Sequence, residues 1–157
     1  MTKRSEQEKD VTTDQKVHKT IQSATGRCLC GAVKFTATDV DPNFHICHCG
    51  MCRRYGGAPS MSSAVGGVAF EGADDILRYR SSDFAERGSC RICGGHLFYR
   101  LVRPDLYLMN VGAFDDQSSF VLEGEIYVDN KPAGYAFAGS HRRETEAEFL
   151  ERIGVSS

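Results

Sequence analysis

The chain has 157 residues, 41% hydrophobic and 25% charged, with a formal net charge of −2 at pH 7. That length supports one domain with a real core, and so balanced a charge offers no field to draw in nucleic acid or an anionic membrane. The longest apolar runs are too short to span a bilayer as a helix, and the polar N-terminus lacks the apolar centre of a secretory signal.

These features place the protein in the cytoplasm, where thiols stay reduced. Seven cysteines in that compartment point to metal ligation rather than to a disulfide framework, and an odd number cannot pair completely.

In chain order, residues 1–23 read as a flexible polar tail of Lys, Glu, Asp, Thr and Gln with little to bury. Residues 24–157 read as one domain. "AVKFTAT" (Ala32–Thr38) alternates, with Val33 and Phe35 on one face, as a half-buried strand does. Further strands are expected at "SMSSAV" (Ser60–Val65), "VAFEG" (Val68–Gly72), "ILRYR" (Ile76–Arg80), "HLFYRL" (His96–Leu101), "LYLMNV" (Leu106–Val111) and "GEIYV" (Gly124–Val128). One helix is expected over Glu144–Ile153, with Ala147, Leu150 and Ile153 on one face and Ser140 as its cap. The fold class is therefore mainly β, with short hairpins and few helices. Metal commonly fixes the loops of such a chain.

All seven cysteines fall in three clusters: Cys28 and Cys30 in "CLC", Cys47, Cys49 and Cys52 in "CHCGMC", and Cys90 and Cys93 in "CRIC". A C-x-x-C turn lets two sulfurs face one tetrahedral ion at ~2.3 Å. Closed structural zinc takes four protein ligands, so one closed site leaves three cysteines. Three protein ligands plus an open position is the pattern of a catalytic zinc. Spacing alone permits an ordinary ribbon of Cys49, Cys52, Cys90 and Cys93. It also permits Cys28 and Cys30 with Cys90 and Cys93, leaving Cys47, Cys49 and Cys52 as a set within one loop. The second partition is preferred on economy, because the ribbon orphans three thiols.

"GRCLCGAVKF", "CHCGMCRRYGGAP" and "YRSSDFAERGSCRICGGHLFYR", in that order, resemble the glutathione-dependent formaldehyde-activating (GFA) family, which includes centromere protein V. The resemblance runs from about Gly26 to the region of Val128. It implies a β-tent fold of small antiparallel sheets and two zinc ions: a structural one on Cys28, Cys30, Cys90 and Cys93, and a second on Cys47, Cys49 and Cys52. It also implies a carbon–sulfur lyase acting on glutathione and formaldehyde through S-hydroxymethylglutathione. Glu125 departs from the pattern, standing where many relatives carry a histidine, and this bears on substrate identity rather than fold.

Three thiolates give a zinc site a formal charge of about −1, so the metal is a weaker Lewis acid than with three neutral histidines. Such a site favours a soft fourth ligand, and a thiol loses its proton on joining it. A small-molecule thiol such as glutathione, with a small aldehyde, suits this chemistry. Arg53 and Arg54, directly after Cys52, can offset the anionic site and clamp a carboxylate, or can be a solvated pair. If residues 45–49 are extended, His45 shares a face with Cys47 and Cys49, which makes it a candidate proton shuttle, while His48 points away. His96 is expected to pack beside the four-cysteine site, and Phe98, Tyr99, Tyr107 and Phe114 to form core and sheet surface. The competing reading is a non-catalytic binding module or glutathione carrier, with the second site closed by a residue such as His48. A nucleic-acid-binding zinc ribbon is disfavoured by the absence of a basic stripe.

Overall fold

The computed structural model describes residues 19–155. In chain order it contains β1 (Ile21–Arg27), β2 (Lys34–Val40), β3 (Asn43–Cys47), α1 (Gly50–Gly56), β4 (Ser60–Glu71), β5 (Ile76–Arg80), β6 (Ala85–Cys90), β7 (His96–Val102), β8 (Asp105–Asn110), β9 (Val121–Ile126), β10 (Arg142–Glu144) and α2 (Glu146–Arg152). The mainly-β reading holds. All ten strands join one hydrogen-bonded network, antiparallel except where β9 lies parallel to β3 and β10 parallel to β9.

β4 is the longest strand, at twelve residues. One of its edges pairs first with β3 and then with β2, from Cys47 opposite Ser60 to Lys34 opposite Glu71. Its other edge carries β8, and the sheet continues from β8 through β7 and β6 to β5. The two strands expected at 60–65 and 68–72 are this single one. Gly66 and Gly67 do not break it. They accommodate a kink in β2, where Asp39 has a left-handed φ of 49° and a Cβ on Gly66 would lie 2.8 Å from the Asp39 Cβ. A glycine inside a strand marks this kind of close backbone approach.

Several expectations need correction. β1 starts at Ile21, which pairs with Val40, so the proposed tail of residues 1–23 overruns the sheet by three residues. Residues 1–18 lie outside the described residues. "GEIYV" leaves the strand after Ile126, because Tyr127 turns left-handed with φ 59°. The cap of α2 is Thr145 rather than Ser140: its hydroxyl accepts from the Glu148 N–H while the Glu148 carboxylate accepts from the Thr145 N–H. This reciprocal pair satisfies two N–H groups that the first turn leaves open.

The core forms on one face of the sheet, where Val33, Phe35, Ala37, Val40, Leu97, Phe98, Met109 and Phe114 are buried. Phe35 and Phe114 meet edge-on with centroids 5.2 Å apart, and Phe98 meets Tyr107 at 5.0 Å. Each such ring removed from water contributes about 2–3 kcal/mol. No helix among the described residues is long and apolar enough to cross a membrane.

The C-terminal helix is tied back by charge. Arg152 Nε and Nη2 donate to the two oxygens of Glu144 at 2.6 and 3.0 Å, and Arg152 holds that carboxyl below the usual carboxylate range. A depressed carboxyl stabilises the fold above its unfolded value of 4.5, and this contribution disappears as pH falls through the lower folded value. Glu144→Gln should therefore cost about 1 kcal/mol at pH 7. Urea denaturation of the two proteins along a descending pH series should show that gap closing below pH 4.5.

Candidate metal centre and adjoining cleft

The first cysteine group forms where two turns meet. Cys28 and Cys30 follow β1; Cys90 ends β6, and Cys93 lies in the turn to β7. Backbone groups close both turns: Cys28 N–H donates to Val33 O, and Cys90 N–H to Gly95 O. The sulfurs also accept from the main chain, Cys28 Sγ from Val33 N at 3.3 Å and Cys90 Sγ from Ile92 N at 3.4 Å. Such N–H donors stabilise thiolate charge. The backbone N–H groups of Cys30 and Gly95 pull the Cys93 thiol down to about 6.

All four sulfurs lie within 4.8 Å of one another, with Cys28 and Cys30 at 3.6 Å and Cys30 and Cys90 at 3.8 Å. A tetrahedral ion with four sulfurs at ~2.3 Å requires edges of ~3.8 Å. The donor set and its dimensions fit such an ion. The partition preferred from sequence is the one this geometry brings together, and the ribbon is not.

The second group is local. β3 ends at Cys47, Cys49 caps the N-terminus of α1, accepting from Cys52 N–H at 3.4 Å, and Cys52 is the buried residue of that helix. The three sulfurs lie within 4.8 Å of one another, with no histidine or carboxylate completing the group among the described residues. The thiols of Cys47 and then Cys52 bond to Cys49 and pull it down to about 2, whereas the same bond pushes Cys47 up. α1 leaves no mark in the sequence, because seven residues that begin and end with glycine carry little helical periodicity.

His48 faces away from the cysteines, as expected. It is fully buried, its Nε2 donating to Glu125 Oε2 at 2.7 Å and its Nδ1 lying 3.0 Å from the Tyr135 hydroxyl. The other Glu125 oxygen accepts from His141 Nε2 and from Arg143 Nε. Burial alone would raise the Glu125 pKa, but the bonds from His141 and His48 outweigh it and hold the carboxyl below its usual range. This network fixes the backbone between two cysteines, since His48 N–H also donates to Ile126 O. The His48 carbonyl accepts from Arg53 Nε at 2.9 Å.

His45 runs in unbroken register with Cys47 along β4 and β9, so the two share a strand face. A register shift between β3 and β9 falls at Phe44/His45, and the ring nitrogen lies 3.4 Å from the Glu123 carboxylate and 3.3 Å from Arg142 Nη2. Arg53 lines a second cleft of about 520 Å³ with Pro132, Tyr135 and Phe137, and Arg54 is exposed.

Sequence reasoning missed Arg87, Tyr55 and the true setting of His96. A cleft of about 330 Å³ opens beside Cys52, lined among others by Tyr55, Arg87, His96, Tyr99 and Asn110. Arg87 is buried, with its terminal nitrogens 3.7 and 3.6 Å from Cys52 Sγ. His96 stacks on Tyr55 with centroids 4.3 Å apart rather than packing beside the four-cysteine group. Burial, assisted by Arg87, lowers its pKa, so the ring is neutral near pH 7. The signal available for Arg87 was its place in the hairpin that turns at "CRIC", which sets it opposite Tyr99.

The family model for the glutathione-dependent formaldehyde-activating enzyme matches residues 23–130. The chain belongs to this family. An uncharacterized lyase of Schizosaccharomyces pombe is 29% identical over 130 residues, which is 82% of this chain and 95% of the yeast protein. A crystal structure of a Rhodobacter sphaeroides protein superposes with a TM-score of 0.51 at 20% identity, covering 76% of this chain and 98% of that one. That likeness concerns the fold. Tyr135, His141 and Arg143, which close the network around Glu125, lie beyond the stretch matched by the GFA model.

Removing one member of a buried, charged network strands the others. Glu125→Ala should destabilise the protein by about 3–5 kcal/mol. Glu125→Gln, which keeps an acceptor oxygen, should lose clearly less, as measured by urea denaturation.

Proposed function

We propose that this GFA-family protein is a zinc-dependent carbon–sulfur lyase that makes or breaks the bond between a thiol, such as glutathione, and a small aldehyde, with S-hydroxymethylglutathione as the adduct. The observation that carries the reading is the three-thiol group of Cys47, Cys49 and Cys52, met by no fourth protein ligand among the described residues and bordering a cleft through Cys52. Cys47, Cys49 and Cys52 would hold a zinc ion, which would supply Lewis acidity with a preference for a thiolate sulfur. Cys28, Cys30, Cys90 and Cys93 would hold a second zinc with a closed, structural role.

In adduct breakdown the hydroxyl proton leaves to solvent, the carbon–oxygen double bond forms, and the carbon–sulfur electron pair goes to sulfur. Synthesis runs the reverse. The protein's part is to seat the thiol and shield the reacting carbon. The cleft beside Cys52, walled by Tyr55, His96 and Tyr99, accommodates a small aldehyde better than a bulky one. Arg53 spends Nε on His48 O, and its terminal nitrogens serve a carboxylate of the peptide in the neighbouring cleft. Arg54, exposed to solvent, receives no contact in this scheme. His45, engaged with Glu123 and Arg142, takes no part.

The engagement of His48 with Glu125 and Tyr135 favours this reading over a closed binding module, which needs a residue such as His48 to complete the second site. The whole protein should carry two zinc ions per chain by metal analysis. Cys49→Ala should carry one and lose turnover of the glutathione–formaldehyde adduct while keeping its strand content by circular dichroism. A single zinc in the wild type, indifferent to glutathione, would sink the proposal.

A further inference from the structure

Arg87 poses a problem that the lyase scheme leaves open. Its guanidinium lies between two rings, 5.2 Å from the Tyr55 centroid and 5.1 Å from that of Tyr99, and the residue is only 4% exposed. No carboxylate pairs with it among the described residues; its polar contact is the sulfur of Cys52. A buried cation is costly unless an anion answers it. The Cys52 sulfur is the group placed to answer it, since a cysteine that ligates a metal does so without its proton.

The charge count gives this contact a purpose. Three thiolates on a divalent ion make a centre of about −1, and a fourth thiolate makes it about −2. An anionic ligand is therefore repelled by the site that is meant to receive it. A guanidinium fixed against one of the three sulfurs cancels one unit of that charge. Its N–H donors also withdraw electron density from the Cys52 sulfur, leaving the metal a better acceptor for another. Lysine would do this less well, since one compact ammonium cannot present two N–H groups to one sulfur while its faces rest on two rings.

The position of the cleft completes the argument. Tyr55 lies one helical turn after Cys52, so both face the same way, and Arg87 touches both the Tyr55 ring and the Cys52 sulfur. The Tyr55 hydroxyl is buried with no hydrogen-bond partner among the described residues. An unanswered buried donor costs roughly 1–3 kcal/mol, which a ligand oxygen in the cleft would relieve. The cleft thus offers a fixed positive charge and one free hydroxyl, on the side of Cys52 that Arg87 occupies.

We propose that Arg87 is the positioning residue that admits a thiolate to the three-cysteine site, and that the thiol approaches through the cleft shared by Arg87, Tyr55 and Cys52. The proposal rests on the lyase reading and extends it by naming what makes an already anionic centre accept another anion.

The test uses the full chain loaded with cobalt(II) and titrated with glutathione at pH 7. Wild type, Arg87→Met and Arg87→Lys are compared through the sulfur-to-cobalt absorption bands. The four-cysteine site reports in the same spectrum that each variant is folded. Wild type should gain absorption as glutathione binds. Arg87→Met should keep both cobalt ions but bind glutathione about 10- to 100-fold more weakly, the effect of losing one close opposite charge. Arg87→Lys should recover part of that loss. Equal affinity in wild type and Arg87→Met would overturn the proposal. So would loss of the second cobalt from Arg87→Met, since Arg87 would then merely hold Cys52 in place. A wild-type spectrum indifferent to millimolar glutathione would remove the lyase reading and this inference together, and it is recognisable without any variant.

Discussion

The antiparallel ladder along β4 is the constraint on which both cysteine groups depend. Cys47 stands opposite Ser60 at its start. Cys28 and Cys30 reach the sheet through β1 and β2 on one edge of β4, whereas Cys90 and Cys93 reach it through β8, β7 and β6 on the other. Counted along the hydrogen bonds, β1 and β6 are five strand spacings apart, about 24 Å in a flat sheet. Yet the sulfurs of Cys30 and Cys90 lie 3.8 Å apart. The sheet must therefore curl until its flanks meet, and the core phenylalanines fill the hollow this creates. Four thiols at the seam are a means of holding such a curl, since backbone pairing alone does not close it.

The three-cysteine loop is governed by a different balance, in which opposite faces of one short segment do opposite jobs. Cys47, Cys49 and Cys52 converge on one side. On the other, His48 is buried against a carboxylate that takes three donors. Sulfur geometry is set by the rigidity of what lies behind it, as is common where the partners of a ligand's neighbours orient the ligand. Aromatic rings around Arg87 serve the same end, immobilising a cation that water would otherwise screen.

What was legible in the sequence follows from how local each signal is. The cysteine clusters declare themselves because tetrahedral ligation needs turns of two or three residues. β2, β5, β7 and β8 are visible through alternation or β-branched and aromatic content. β1 and β6, with "IQSATGR" and "AERGSC", have neither, and with β6 the role of Arg87 was lost. The network around Glu125 was beyond reach for another reason. His48 lies 77 positions from Glu125 and Tyr135 lies 87 positions from His48, and nothing in any of those segments names its partner. Period-two reasoning places His45 on the strand face of Cys47 but cannot name its partners, which come from β9 and from an unforeseen strand, β10.

The segment after residue 130 contributes the outer half of the shell around His48, although the stretch matched by the family model ends there. The shared stretch carries every thiol, but the burial of its own histidine and carboxylate is completed by residues that follow it. A protein made only of the shared stretch would present that pair to water, and the loop between Cys47 and Cys49 would be the place where it first comes loose.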